Sequence, residues 1–293
     1  MRKRNLFLVN GLILTFTTLI MRIIGLVFNM YIANKIGSEA IGIFSLLMTI
    51  YSFAIILSTS GIGTACTCIV SEEFAKHNYL NGLKAVKTCC IFSILSSIII
   101  SIITILFAPI ISSNLLKNSI SNIPIYCISL GLPLISISSV INGYFSSVEK
   151  PYKSAISQIL EIFVKIIFTF LLFQRNNDIS NIESVCTILI LADVISELFS
   201  FVLNIVFYII DTRKYINKRY LPMQMKKRIF FIAFPISITS CIRSGLSSLK
   251  QFLIPARLVL SGMTYSLAVS NYGLISRYGN ACYFVCKCFY IFF

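Results

Sequence analysis

Long apolar runs recur through the whole chain, and nothing else limits its fold as strongly. A bilayer core is crossed by about 20 apolar helical residues. Inside that core every backbone N–H and C=O must be paired, within a helix or around a closed barrel. Stretches of this kind run about 6–33, 41–70, 88–111, 123–147, 154–173, 184–210 and 229–254, with a further apolar segment from near Ser261. Short strands of alternating polarity are absent from the sequence, which argues against a barrel. Charged residues make up 12% of the chain, against about 25% in a soluble domain. The expected class is therefore all-α and polytopic in the membrane. The first stretch is too long for a cleavable signal peptide and has no small-residue cleavage site.

The cations fall between the apolar spans. The amino terminus, 71–87, 149–153 and 211–228 together hold fifteen Lys and Arg, whereas 34–40, 112–122 and 174–183 hold one each: Lys35, Lys117 and Arg175. Cytoplasmic loops carry the excess of Lys and Arg. This asymmetry predicts a cytoplasmic amino terminus, with six helices returning the chain to the cytoplasm at Asp211. The net charge of +15 is then explained by orientation and by anionic lipid headgroups, not by nucleic acid. The basic stretch 212–228 divides the chain into a first transmembrane unit, 5–211, and a second, 229–276. It either links two lobes or only fixes topology. The ten cysteines lack metal-ligand spacing and read as small buried hydrophobes. A single histidine, His77, excludes a His-based metal site.

Charges inside the spans are the candidate functional residues, because an ionised side chain at that depth costs several kcal/mol or finds a partner or wet cavity. Thr18, Arg22, Gly25 and Asn29 share one helical face. So do Ser154, Gln158, Glu161 and Lys165, where Glu161 precedes Lys165 by four residues in the favourable order for an ion pair. That pair is either structural or a switchable element of a substrate or ion path. Asp193, Glu197, Ser200 and Asn204 repeat the spacing. Two acids four apart repel, so one stays protonated or meets a cation, with Arg22, Lys165 and the seventh span as the sources. Arg243, Lys250 and Arg257 are seven apart and point broadly one way, since fourteen residues return to within roughly 40°. Three cations without an intervening acid suit a diphosphate, although Arg257 could equally snorkel to the interface. Pro235 and Pro255 are expected to bend or end that helix, and Gly61 and Gly63 to soften the second. The sequence has no Ser/His/Asp set, nucleotide loop or metal cluster, so an enzyme is not expected.

Several stretches in order resemble the multidrug/oligosaccharidyl-lipid/polysaccharide flippase superfamily, in its stage V sporulation protein B-like branch: MRIIGLVFNMYIANKIGSEAIGIFSLLMTIYSF, STSGIGTACTCIVSEE, NGYFSSVEKPYKSAISQILEIFVKI and FIAFPISITSCIRSGLSSLKQFLIPARL. The resemblance covers about residues 5–276. It implies one six-helix lobe plus the first one or two helices of a second, around a central cavity that opens alternately to each side. The implied activity is flipping of an undecaprenyl-pyrophosphate-linked oligosaccharide, a cell-wall or spore-cortex precursor. The substrate-binding residues it implies are Arg22, Asn29, Arg243, Lys250 and Arg257. Glu161, Lys165, Asp193 and Glu197 would couple an ion or hold structure. No cofactor is implied beyond an ion gradient or membrane potential. The partners are the lipid-linked pyrophosphate oligosaccharide and anionic lipids. The second span lacks the arginines frequent in wall-precursor flippases, which counts against lipid II itself. A cation-coupled multidrug exporter of the same superfamily, or a non-functional fragment, are the alternatives.

Relatives continue after a segment like YGLIS with a GMAMP-like apolar helix. Here the atypical tail 277–293 follows instead, with three cysteines in its last twelve residues. Codons for Arg277 onward, read one base later, can encode Gly-Met-Ala-Met-Pro. The expectation is a frameshifted gene whose product stops after the first lobe. Sequencing through the locus tests it: the expectation fails if no second-lobe frame lies downstream.

Overall fold

A computed structural model describes residues 2–59, 61–115, 121–175, 182–215 and 225–275. The described residues form helices and short connections. They run α1 (Arg2–Ile36), α2 (Ser38–Thr59), α3 (Ile62–Ala75), α4 (Tyr79–Ile110), α5 (Ile123–Ser147), α6 (Pro151–Arg175), α7 (Ile182–Thr212) and α8 (Met225–Leu260), then a helical stretch over 265–275, here α9. Seven spans, with α2 and α3 counted together, are long and apolar enough to cross a membrane. The atypical tail 277–293 and the middle of the basic segment, 216–224, lie outside the described residues.

The helices are longer than their apolar cores. α4 has 32 residues, about 48 Å at the usual rise, so it passes beyond a hydrocarbon core of about 30 Å. The segment 71–87, expected to be a polar connection, is therefore mostly helix. α3 continues to Ala75, and a turn at Lys76–Asn78, with His77 at φ 61°, leads into α4 at Tyr79. The second apolar span breaks where the glycines stand. Gly61 adopts φ 80°, and a Cβ there would run into the Ala233 carbonyl and the Ser237 hydroxyl of α8. α8 runs through both Pro235 and Pro255 without ending.

α5 is the central post and packs against α2, α3, α4, α6 and α7. One apolar cluster joins α2, α5 and α7 through Leu47, Leu132 and Ile190. A second joins α3, α4 and α5 through Ile69, Val86 and Phe145. A third sets α1 on α6 and α7 through Phe28, Phe173 and Leu189. Lipid tails are as apolar as leucine, so close packing of small residues must contribute much of the cohesion. The Ser101 hydroxyl donates to the Ser129 carbonyl at 2.5 Å, Ser96 to the Ser58 carbonyl at 2.9 Å, and Thr67 to the Gly143 carbonyl at 3.2 Å. Cys66, Cys89 and Cys186 are buried, as expected of small hydrophobes, whereas Cys68 is exposed. Leu95, Ile99, Ile102 and Leu106 on α4, with Ile167 and Leu171 on α6, stand exposed as a lipid-facing surface requires.

Gly143 is where α5 meets α3 most tightly: a Cβ there would lie 2.7 Å from the Gly63 carbonyl. Gly143→Ala should lower the melting temperature in detergent by overpacking worth ~1–3 kcal/mol. Gly25→Ala, with nothing within 4 Å, should not lower it.

Candidate functional site

α6 and α7 lie antiparallel and face each other with their polar stripes. At one end Asp211 is buried, accepting from Lys150 at 2.6 Å, Lys153 at 2.9 Å and the Tyr144 hydroxyl at 3.0 Å. Farther along, Ser154 donates to the Asn142 side chain at 2.9 Å, and Gln158 to the Ser154 hydroxyl at 3.3 Å. Glu161 lies near Ser200 of α7. At the other end Lys165 forms an ion pair with Asp193. Asp211 with Lys153, Glu161 near Ser200, and Lys165 with Asp193 follow one antiparallel register.

Of the two partners the sequence offered Lys165, Glu161 on its own helix or an acid of α7, it pairs with Asp193 of α7, and the intrahelical ion pair with Glu161 is corrected. Lys165 reaches across to α7 because Asp193 is buried and has no other cation in range among the described residues. Glu197, one turn on, meets a neutral donor instead. The Tyr51 hydroxyl of α2 stands 2.5 Å from both of its carboxylate oxygens. Gly131 of α5 makes room for that contact, since a Cβ there would lie 2.8 Å from a Glu197 oxygen and 2.9 Å from the Tyr51 hydroxyl. The two acids of α7 thus avoid mutual repulsion through different partners. Tyr51 could not be found from helical spacing, because it sits in an apolar run on another helix.

A cavity of about 340 Å³ opens between α1, α2, α6 and α8. Leu26, Met30, Ile41, Phe44 and Met48 give it an apolar wall. Asn29, Ser45, Thr49, Ser52 and Gln251 give it amides and hydroxyls, and Lys165 is the one ionisable group among the described residues that line it. Gln251 ties α8 to its neighbours: its carbonyl oxygen accepts from Thr49 at 2.5 Å and from Tyr272 at 3.0 Å. α9 is fixed beside the start of α2 by a Ser38–Ser270 hydroxyl contact of 2.5 Å.

Of the expected substrate residues, Asn29 lines this cavity. Arg22 on α1 and Arg243, Lys250 and Arg257 on α8 lie on exposed faces outside it. Lys165, expected in a structural pair or in a substrate or ion path, lines the cavity as well, whereas sequence reasoning missed Gln251 and the second-helix hydroxyls. The spacing of Ser45, Thr49 and Ser52 on one helical face was the available signal for the hydroxyls. At the opposite end of the bundle from the cavity, the Arg228 guanidinium of α8 bridges Glu72 and Glu73 of α3, the latter at 3.1 Å.

Among solved structures, a MOP superfamily transporter from Pyrococcus furiosus superposes with a TM-score of 0.61 at 12% identity, over 93% of this chain and 63% of that one. The arrangement defines a multi-pass membrane protein of the multidrug/oligosaccharidyl-lipid/polysaccharide flippase superfamily. More narrowly, the sequence profile described as "Polysaccharide biosynthesis protein" matches residues 7–282, and the chain belongs to that family. It is 28% identical over 160 residues to stage V sporulation protein B of Bacillus subtilis (strain 168), across 55% of this chain and 31% of that protein. It is 27% identical over 177 residues to the lipid II flippase MurJ of the same organism, across 56% of this chain and 32% of that protein. The matched part thus spans about a third of the length of these two relatives.

Removing the phenol in Tyr51→Phe strips Glu197 of its donor and should cost ~1–3 kcal/mol of stability. Glu197→Gln, which keeps an acceptor for the phenol, should cost less. Thermal melts of the two variants in detergent test the order.

Proposed function

We propose that the chain carries the first lobe and the opening helices of a second lobe of a flippase for an undecaprenyl-pyrophosphate-linked oligosaccharide, a cell-wall or spore-cortex precursor. The observation that carries this reading is the two-sided cavity. Its amides and hydroxyls, from Asn29, Ser45, Thr49, Ser52 and Gln251, suit a sugar, and its apolar wall suits the first units of a polyprenyl chain. Family membership and the relatives' printed functions support the same substrate class. Transport runs by alternating access in the cytoplasmic membrane, with the amino terminus on the cytoplasmic side as the Lys and Arg asymmetry requires. Arg22, Arg243, Lys250 and Arg257, outside the cavity, meet the anionic headgroup on its way into or out of the cavity, and Glu161 or Asp193 couples an ion gradient. The role is transport and not catalysis.

A cation-coupled multidrug exporter is the second reading. In its favour, three carboxylates, from Glu161, Asp193 and Glu197, gather around the one ammonium of Lys165. A drug-resistance assay separates the two readings.

Flipping of a fluorescent undecaprenyl-pyrophosphate-linked sugar in proteoliposomes is the direct test, run on the 293-residue chain and on a version with a complete second lobe. Arg22→Ala or Arg243→Ala in the longer version should lower the rate ~10-fold or more, as loss of a charge-assisted contact implies, with membrane insertion intact. Unchanged rates would remove those arginines from the site.

A further inference from the structure

We infer that Lys165 is the anion-binding group of the α1/α2/α6/α8 cavity, and that Asp193 is its built-in competitor, displaced when a phosphate group enters. The inference rests on the flippase reading and assigns its phosphate to a residue other than the arginines.

Three observations carry it. Lys165 is the one ionisable side chain on the cavity wall among the described residues, whereas Arg22 and the cations of α8 lie outside. Its ion pair is incomplete. An ammonium has three donors, and Asp193 is its one carboxylate partner among the described residues. On the other side the second oxygen of Asp193 is buried with no hydrogen-bond partner. A pair that served packing alone would be expected to satisfy both members, because an unsatisfied buried oxygen is costly. Finally, the neighbouring cavity groups supply donors. The Gln251 carbonyl oxygen is taken by Thr49 and Tyr272, which leaves its amide N–H groups for a ligand, and Asn29 adds another amide. Amide donors beside an ammonium match phosphate oxygens, whereas Glu161 and Glu197, also near that ammonium, work against an anion.

Lys165 exchanges one charge-assisted bond for another, and the cost of leaving the buried Asp193 carboxylate without its cation is offset by the further bonds the phosphate makes to Gln251 and Asn29. The Phe28 ring lies 6.0 Å from the ammonium while Lys165 is paired with Asp193.

The test measures binding of farnesyl diphosphate, farnesol and inorganic pyrophosphate to the full 293-residue chain in detergent by isothermal titration calorimetry. The wild type should prefer farnesyl diphosphate to farnesol. Lys165→Gln should weaken farnesyl diphosphate ~10- to 100-fold, as expected for a lost charged hydrogen bond, and leave farnesol unchanged. Lys165→Arg should retain binding. Asp193→Asn should tighten binding several-fold, because the ammonium is no longer held. Inorganic pyrophosphate that binds as tightly as farnesyl diphosphate would make the site one for free phosphate rather than for a lipid headgroup. Melting temperatures accompany each variant. If Lys165→Gln does not fold, retained binding in Lys165→Arg together with tighter binding in Asp193→Asn decides. A loss of affinity in Asp193→Asn equal to that in Lys165→Gln would mean a structural pair and overturn the inference. So would a diphosphate preference that ignores both substitutions, and in that case the flippase reading stands. A wild type without diphosphate preference would sink both.

Discussion

An ionised side chain within a helical bundle must find an opposite charge, a set of hydrogen bonds or water. That requirement fixes the way α6 meets α7. Asp211 with Lys150 and Lys153 closes one end of the pair, and Asp193 with Lys165 closes the other. Between them Glu161 and Ser200 keep the same register. A one-turn slip would leave Asp211 and Asp193 buried without cations. The polar stripe therefore acts as a ruler along the helix pair, while the apolar faces around it tolerate several alignments.

Close approach elsewhere depends on small residues and not on charge. Gly63 and Gly143 let α3 touch α5, and Ser101 lets α4 touch α5. These contacts bring α5 into the middle of the lobe, where Gly131 leaves space for Tyr51 to reach Glu197. α1 is treated differently. It leans on α6 and α7 through Phe28 and Phe173, and the cavity opens between α1, α2, α6 and α8. The same packing that buries the acids of α7 thus presents Lys165 at an open wall.

α8 is joined to this lobe at both ends. Arg228 binds the two acids of α3, and Gln251 receives hydroxyls from α2 and α9. Arg243, Lys250 and Arg257, farther along it, are exposed and do not line the cavity.

Much was legible in the order of residues alone. Apolar runs dictated a helical membrane protein, because backbone groups in lipid must be paired within the chain. The shared faces of Glu161 with Lys165 and of Asp193 with Glu197 followed from helical spacing, and several stretches carried the family. Helical spacing, however, speaks only of neighbours on one helix. Which stripe faces which depends on packing between segments far apart in sequence. So the partner of Lys165 proved to be Asp193 and not Glu161, and Tyr51, from an apolar run, proved to be the donor to Glu197. The cavity, too, is a space left between four helices, and no single segment encodes it.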